Sequence, residues 1–392
     1  MRKGWEYKKL GEVGTFLRGK NILKSDFVEK GLPCIHYGQI HTKFGISTDT
    51  HLTETSQEVY NKAIIASKND VLIAITSEDL EGSCKATAWL GDYDVAVSAH
   101  AAVFKHNLNP KYIVYYLKSQ SFYIEKSKYA RGFKVMEIKP TDIAKIPIPI
   151  PPKSTQLAIV SELDKINELI RLKEEQLKDF DNLAQNLFYE MFGDPVENEK
   201  GWEVKKLNEI VSDNCSISYG IVQPGDGIEN GVPVVRPVDM TGTFVYRQGL
   251  KNTTKEISDS YKRTILKGNE ILMCVRGTTG LIAMASSELR GCNVTRGITP
   301  IECGKSCNKW FIYYQISNSS IQQYIAEYTR GIALKQINMK DVRDIPLCLP
   351  PLPLQHLFAQ RIEQIEHQKA EVQKSITDLE TLLASRMQYW FE

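Results

Sequence analysis

The chain contains the same long segment twice. Residues 4–10 (GWEYKKL) return as residues 201–207 (GWEVKKL), and residues 146–152 (IPIPIPP) return as residues 345–351 (IPLCLPP). The spacing between the copies changes only from 197 to 199 residues over that length. Solenoid repeats have periods of about 20–50 residues, so a repeat of about 200 residues is a whole domain with an appendage. A protein with two equivalent halves suits a target with two halves, and duplex DNA is the commonest such target.

Length and composition are typical of a soluble protein with several domains. The 392 residues suffice for about two or three domains with their own cores. The 42% hydrophobic and 24% charged residues are ordinary proportions. No apolar run approaches the ~18 residues of a membrane span, and the N-terminus leads into no signal-peptide stretch. The sequence therefore predicts a cytoplasmic protein with no membrane partner.

The charge alternates with the repeat. Residues 1–150 carry a net charge of +5 and residues 201–352 carry +4, whereas residues 151–200 carry −5 and residues 353–392 carry −2. Two mildly basic globular units are compatible with two surfaces that contact phosphate. The values are modest, so chance remains an alternative explanation.

Both copies contain short runs rich in valine, isoleucine and tyrosine, separated by glycine, asparagine and aspartate. Residues 71–75 (VLIAI) and 271–275 (ILMCV) form one such pair, and the helical stretches 111–117 and 310–316 follow them. This pattern predicts an α+β fold with mostly antiparallel strands.

The repeated proline-rich segments end each globular unit. Proline continues neither a helix nor a central strand, so the pattern predicts extended linkers there. The predicted organisation is a globular unit over residues 1–152, a helix over 153–200, a second globular unit over 201–352 and a C-terminal helix over 353–392.

Each predicted helix carries a heptad pattern. Positions that step alternately by four and three hold Ile159, Leu163, Ile166, Ile170, Lys173, Leu177, Phe180, Ala184, Leu187 and Met191 in the first helix. The second helix keeps the register with Phe358, Ile362, Ile365, Lys369, Val372, Ile376, Leu379, Leu383, Arg386 and Trp390. Spacing this regular over four heptads indicates a coiled-coil seam, interrupted at Lys173, Lys369 and Arg386.

The simplest way to bury two such seams is to pair the helices with each other. The separation in sequence allows a parallel or an antiparallel pair, and an antiparallel pair would relate the two globular units by a pseudo-two-fold axis. The alternative is that each helix packs only on its own globular unit, which rarely maintains a heptad of this length.

The motifs of catalysis and metal binding are missing. The sequence contains no dinucleotide-binding loop, Walker loop or nucleophile elbow. The segment 109–112 (NPKY) is similar to an amino-methyltransferase tetrapeptide, but it lacks the second proline and fits the start of a helix better. The eight cysteines and seven histidines show no metal-ligand spacing, which predicts reduced thiols and no metal site.

Polar loops occupy matching places in the two copies but differ in chemistry. Arginine reads guanine, glutamine reads adenine, and carboxylates accept from cytosine, so two copies of one frame with different loops would read two half-sites. Ordinary drift of surface loops is the alternative for any single residue. The candidate DNA-binding residues are Lys20, Lys24, His36, Tyr37, Gln39, Thr76, Ser77, His100, Arg131 and Lys134 in the first copy, and Gln223, Arg236, Arg276, Thr278, Thr279, Arg296, Arg330 and Lys335 in the second.

Taken together, the paired starts, the Arg-Gly segments, the proline-rich segments followed by Gln156 and Gln355, and the two long helices resemble the specificity (S) subunit of type I restriction-modification systems. The resemblance covers essentially the whole chain. It implies two pseudo-symmetric target recognition domains separated by two long antiparallel coiled-coil helices. It also implies that each domain reads one half of a bipartite, asymmetric DNA site.

The same resemblance implies partners that carry the chemistry. Two modification (methyltransferase) subunits and restriction subunits would assemble with this non-catalytic chain and with double-stranded DNA. S-adenosylmethionine, ATP and magnesium would belong to those partners, and this chain would hold no cofactor. Apolar residues near the helix ends are candidate partner contacts or, alternatively, core: Phe188, Phe192, Tyr389, Trp390 and Phe391. The competing hypotheses are a self-sufficient DNA methyltransferase or nuclease, and a coiled-coil adaptor that binds no DNA.

Overall fold

The computed structural model describes residues 4–132, 134–225, 227–331 and 334–392. It divides into two compact units, one formed by Met1–Glu174 with Lys374–Glu392 and the other by Glu175–Gln373. Both units mix helices with predominantly antiparallel strands, as the sequence predicts.

Among the described residues, fourteen strands and six short α-helices precede the first long helix. The strands are β1 (Glu6–Lys9), β2 (Gly14–Arg18), β3 (Phe27–Val28), β4 (Leu32–Ile35), β5 (Ser47–Thr48), β6 (Thr53–Thr55), β7 (Ile64–Ala66), β8 (Val71–Ala74), β9 (Thr76–Ser77), β10 (Ala86–Trp89), β11 (Val95–Val97), β12 (Ala101–His106), β13 (Met136–Glu137) and β14 (Pro147–Ile150). The helices are α1 (Leu10–Val13), α2 (Tyr37–Thr42), α3 (Gln57–Lys62), α4 (Pro110–Leu117), α5 (Gln120–Ser127) and α6 (Pro140–Ile143).

Two five-stranded sheets form the first unit's globular part, in the orders β2-β12-β8-β10-β5 and β3-β6-β4-β11-β7. Strand β8 lies at the centre of the first sheet, and all four of its residues are buried. Helix α4 covers this sheet. It begins at Pro110 because the Asn109 side chain caps the Tyr112 amide at 3.2 Å, which confirms that the NPKY segment starts a helix.

The second unit repeats this plan with fewer strands. After the first long helix, α7 (Lys153–Phe192), come the strands β15 (Glu203–Lys206), β16 (Val232–Val235), β17 (Phe244–Val245), β18 (Lys251–Thr253), β19 (Ile271–Cys274), β20 (Ile282–Ala285), β21 (Asn293–Val294), β22 (Ile298–Ile301) and β23 (Pro346–Leu349). The helices are α8 (Leu207–Ile210), α9 (Lys255–Ser260), α10 (Lys309–Ser317), α11 (Ser319–Glu327), α12 (Met339–Arg343) and the second long helix α13 (Leu352–Phe391). Its sheets have the orders β18-β16-β21 and β17-β20-β19-β22, with β19 buried like β8.

The proline-rich segments are strands, which corrects the prediction of unpaired linkers. Strand β14 pairs antiparallel with β1, and β23 pairs in the same way with β15. Proline is tolerated because each pair is a sheet of only two strands, so half of the amides face away from the ladder. The two most obvious repeated motifs, GWE and Ile-Pro, are therefore the two strands of one ribbon in each unit.

The two long helices pair antiparallel within each unit. In the second unit, Asp181 of α7 forms an ion pair with Lys369 of α13, whereas Phe188, further along α7, contacts Phe358, which lies earlier in α13. In the first unit, Glu162 of α7 binds Arg386 near the end of α13. None of the twenty predicted seam positions is exposed, so the heptad prediction is confirmed. The helices also contribute to the cores of the globular parts, so pairing and packing on the globular unit occur together.

Two of the polar residues in the seam are neutralised by the facing helix. The Lys369 ammonium lies 2.7 Å from Asp181 and 2.9 Å from Glu366, and its side chain is only 16% exposed. The Arg386 guanidinium binds both oxygens of Glu162. Charged residues are tolerated at these positions because each has an acidic partner across the helix pair or on its own helix.

The repeated glutamines tie the long helices to the sheets' covering helices. The Gln355 side chain accepts from the Asn308 amide at 2.9 Å and donates to the Pro350 carbonyl at 2.8 Å. Gln156 makes the equivalent contacts with Asn109 at 3.1 Å and Pro151 at 2.9 Å. Both glutamines are buried, and each supplies the hydrogen-bond partner of one half-buried backbone amide and one buried carbonyl.

Candidate nucleic-acid interface

Three loops of the first unit meet where β8 ends. The Ile75 amide donates to the His100 carbonyl at 2.9 Å, and the Ile75 carbonyl accepts from the Ile138 amide at 3.0 Å. Beyond this point β9 pairs with β13, which joins the loop after β8 to the Arg131–Glu137 turn. The structure thus brings together loops that are far apart in the sequence.

An aromatic and imidazole cluster lies at this edge. The Tyr37 ring is 4.4 Å from the His36 ring, 5.0 Å from the His100 ring and 6.1 Å from the His41 ring. Burial, with Lys24 and His100 as positive neighbours, lowers the pKa of His36. His100 itself is exposed. Of this cluster, the sequence predicted His36, Tyr37 and His100, and it missed His41.

Three predicted DNA-reading residues of the first unit are engaged in the fold. The Gln39 carbonyl oxygen accepts from the His36 amide at 3.1 Å, and its amide donates to the Thr53 hydroxyl at 3.2 Å. His36 in turn caps the start of α2 by accepting from the Gly38 amide. Thr76 is buried. These contacts engage the Gln39 side chain and one ring nitrogen of His36 within the fold. The role of Gln39, Thr76 and His36 in DNA binding stays a prediction.

The remaining predicted residues of the first unit lie at its surface. Lys20, Lys24, Arg131 and Lys134 are exposed, and Ser77 is half-buried in β9. Phe133 lies outside the described residues. The role of all five in DNA binding stays a prediction.

The second unit builds the same junction at the end of β19. The Val275 amide donates to the Gly297 carbonyl at 2.8 Å, and the Val275 carbonyl accepts from the Ile337 amide at 3.1 Å. The Gly277 amide donates to the Lys335 carbonyl at 2.8 Å, which joins the two predicted loops here as well.

Most of the predicted residues of the second unit are exposed or half-buried. Gln223, Thr278, Arg330 and Lys335 are exposed, whereas Arg276, Thr279 and Arg296 are half-buried. The Thr279 hydroxyl accepts from Thr329 at 3.2 Å. Among the residues that the structure describes, the Arg276 and Arg296 guanidinium groups have no ion pair or hydrogen bond.

Arg236 differs from the other arginines because Asp239 holds it. Its Nε and Nη2 atoms donate to the two Asp239 oxygens at 3.0 and 2.6 Å, and this contact raises the pKa of Arg236. The guanidinium group of Arg236 is therefore occupied by Asp239, and a role for Arg236 in reading guanine stays a prediction. Asp239 stands where Gln39 stands in the first unit. Each side chain accepts a hydrogen bond from the backbone amide three residues earlier, which is that of Arg236 or His36.

One pair of equivalent residues that the sequence comparison predicted is offset by one position in the structure. Ile75 and Val275 are equivalent, and their amides bind His100 and Gly297, so His100 corresponds to Gly297 rather than to Arg296. Tyr37 correspondingly matches Pro237. The second unit therefore has Pro237 beside Gly297 in place of the Tyr37–His100 ring contact of the first unit. A Cβ added to Gly297 would lie 2.8 Å from the Pro237 ring.

The loop after the central strand is longer in the first unit, and a buried lysine holds it. Cys84 and Gly280 are equivalent because their amides donate to the equivalent carbonyls of Ala74 and Cys274, and both have positive φ. The first unit thus has four more residues in this loop. The Lys126 ammonium, on α5, donates to the Glu81 carbonyl at 3.1 Å and to the Ser83 carbonyl at 2.5 Å.

Replacing Lys126 with methionine is expected to loosen this loop. The change leaves two carbonyls without their charged donor, and such hydrogen bonds contribute about 1.5–3 kcal/mol. Amide exchange at Gly82 and Lys85 should therefore accelerate about 10- to 100-fold. The matched control is Lys128→Met, which removes an exposed lysine from the C-terminal cap of the same helix. Equal exchange rates in the two variants would contradict the clamp.

The candidate partner contacts divide by burial. Phe188, Phe192 and Phe391 are between 2% and 6% exposed and pack in the cores, which is the alternative that the sequence left open for them. Trp390 is half-buried and donates to Glu162 at 2.9 Å. Tyr389, which is 53% exposed, stays a candidate.

The described residues contain neither a metal-ligand cluster nor a membrane-spanning helix. No group of three or more His, Cys, Asp or Glu side chains there could hold a metal ion. No helix there is long and apolar enough to cross a membrane.

Comparison with known proteins identifies this architecture. Residues 2–179 and 199–381 both match the type I restriction modification DNA specificity domain. The EcoBI specificity subunit of Escherichia coli is 28% identical over 178 residues, which are 45% of this chain and 37% of the relative. The StySPI specificity subunit of Salmonella potsdam is 21% identical over 98% of this chain and 87% of its own length.

Solved structures share the fold over the full length. A chain from a type I restriction-modification system, solved to explain that system's complex assembly and conformational transition, aligns with a TM-score of 0.61 at 19% identity, over 100% of this chain and 98% of that one. The S subunit from M. genitalium aligns with a TM-score of 0.53 at 13% identity, over 99% and 96% of the two chains. Because two copies of the specificity domain account for most of its length, the chain belongs to the type I restriction-modification DNA specificity family.

Proposed function

We propose that this chain is the DNA-recognition subunit of a type I restriction-modification enzyme, and that each unit reads one half of a bipartite, asymmetric site. The observation that carries the proposal is one loop frame, built twice, with different side chains at equivalent positions. At the end of the central strand the first unit presents Tyr37 with His100, whereas the second presents Pro237 with Gly297 beside Arg276.

The geometry supports a division of labour among the side chains. Exposed lysines and arginines around each junction would contact phosphates and orient the unit on the duplex. Side chains that stand at the junction itself would reach base edges. Arg276 and Arg296 are the strongest candidates in the second unit, because a free guanidinium is the usual reader of guanine.

The helix pair supplies the frame and a surface for partners. Each long helix begins in one unit and ends in the other, so its length would set the distance between half-sites. Two modification subunits, and through them restriction subunits, would dock on this frame. S-adenosylmethionine, ATP and magnesium would be bound by those partners, and the chain itself would act without catalysis, in the cytoplasm.

The proposal is tested by selecting duplexes from a random library with the full chain and its methyltransferase partner. We expect two conserved blocks separated by an unconserved gap, with block centres about one DNA turn (~34 Å) apart. A complex that enriches no sequence, or one continuous block, would exclude the proposal.

A further inference from the structure

A cleft beside the recognition junction of the first unit contains three lysines. It lies between α2, β10 and the start of α5, and has a volume of about 590 Å³. Lys85, Lys118 and Lys126 line it, together with His41 and the single carboxylate of Glu81. Sites for small organic ligands usually occupy about 300–1,000 Å³, so a phosphodiester with its sugars would fit.

The positive charge of the three lysines exceeds the negative charge of the one carboxylate that lines the cleft. Among the described residues, the ammonium groups of Lys85 and Lys118 have neither an ion pair nor a hydrogen bond. Burial and the repulsion of Lys85 lower the pKa of Lys118, and burial also lowers the pKa of Lys126. A bound anion would relieve both the repulsion and the loss of hydration.

The cleft continues into the recognition junction. A neighbouring cleft shares His41, Glu81 and Lys85 with it and is also lined by Tyr37 and Ser77. An anion between Lys85 and Lys118 would therefore lie next to the residues proposed to read bases.

The second unit lacks these lysines at the equivalent positions. Lys85 corresponds to Leu281, because their carbonyls accept from the equivalent amides of Ala74 and Cys274. Ser119 and Asn318 cap equivalent helices, so Lys118 and Lys126 correspond to Ser317 and Ile325. Ile325 is buried among apolar residues, whereas its counterpart in the first unit is a lysine, Lys126. The cleft is therefore a property of the first unit rather than of the shared frame.

We propose that this cleft is a phosphate-binding site that takes a backbone phosphate of the duplex beside the bases read by the first unit. The inference rests on the proposed DNA-recognition function. Lys85 and Lys118 contact the phosphate, Lys126 fixes the loop that forms one wall, and the start of α5 adds the positive end of its dipole.

Two measurements on the full chain test the site. The double variant Lys85→Gln/Lys118→Gln should reduce the slope of log Kobs against log[salt] by about 1 to 2, because each lost phosphate contact contributes about 0.9. The selected sequence should stay the same. The control Lys165→Gln/Lys178→Gln removes the same charge from exposed positions of α7 and should leave the slope unchanged. Equal slopes in both double variants would overturn the proposal.

Acetylation of lysines, read by mass spectrometry, distinguishes the sources of phosphate. Duplex at about ten times its Kd should slow labelling of Lys85 and Lys118 roughly tenfold, with or without the selected sequence, whereas pyrophosphate at the same phosphate concentration should not. Protection by pyrophosphate alone, or by neither ligand, would overturn the proposal. If the duplex protects these lysines but the chain enriches no sequence from the random library, the phosphate site would be supported and the proposed recognition function would be excluded.

Discussion

Arg276→Ala is expected to reduce base discrimination at the half-site of the second unit about 10- to 100-fold, and to leave the other half-site unchanged. A good bidentate contact between arginine and a base contributes about 1–3 kcal/mol to discrimination. The backbone of Arg276 is held by its pairing with Gln336, so the loop should keep its shape in the variant. The side chain stabilises no other described residue through a hydrogen bond or ion pair, so the loss should fall on DNA reading alone.

This result is measured by competition between duplexes that carry single base changes in either half-site. The matched control is Arg290→Ala, which removes an exposed arginine from the same unit. Discrimination that falls equally at both half-sites, or equally in the control, would contradict the assignment of Arg276.

Gln355→Ala is expected to destabilise the second unit by about 2–4 kcal/mol. The substitution leaves the Asn308 amide and the Pro350 carbonyl buried without partners, and each such group costs about 1–3 kcal/mol. The contact links the start of α10 to the first turn of α13, and the Gln355 side chain that makes it is fully buried. Gln156→Ala should have a similar effect in the first unit, because its contacts are equivalent.

Hydrogen exchange in the central strands measures each unit separately. Gln355→Ala should accelerate exchange in β19 about 30- to 700-fold, which corresponds to the predicted loss of free energy. Gln360→Ala, an exposed position on the same helix, is the control and should leave the rates unchanged. Exchange within threefold of the parent protein in Gln355→Ala would show that the glutamine is dispensable.

The sequence predicts the frame well because the frame is periodic and repeated. None of the positions that the heptad steps identified is exposed, including the interruptions at Lys369 and Arg386, and the central strands follow from their apolar runs. The proline-rich segments misled because proline suppresses the usual strand pattern. Their pairing with the GWE strands joins segments that lie far apart in the sequence and meet only in the folded unit.

The candidate site was predicted less completely, for physical reasons that differ from residue to residue. Arg236 and Asp239 are three residues apart, and this spacing is the signal in the sequence that could have indicated their ion pair. The burial of Phe188 and Phe192 depends on α10 and α13, which lie far away in the chain. Residue type alone does not distinguish a core aromatic from a docking aromatic.

The lysine cleft shows which signal was overlooked. Its three lysines come from separate elements, so no local motif reveals them. Lys126, however, lies 199 residues before Ile325 in a repeated helix. A charged residue in one copy of a domain, at a position where the other copy has a buried isoleucine, indicates a function of that copy alone. Only the structure shows that Lys85 and Lys118 lie beside Lys126.

The most direct test of the central claim, one unit for one half-site, is a selection from random duplexes with the parent chain and two variants. Tyr37→Ala should weaken conservation in one block, and Arg276→Ala should weaken it in the other, with the remaining block unchanged in each case. Two variants that weaken the same block, or that each weaken both blocks, would contradict the claim.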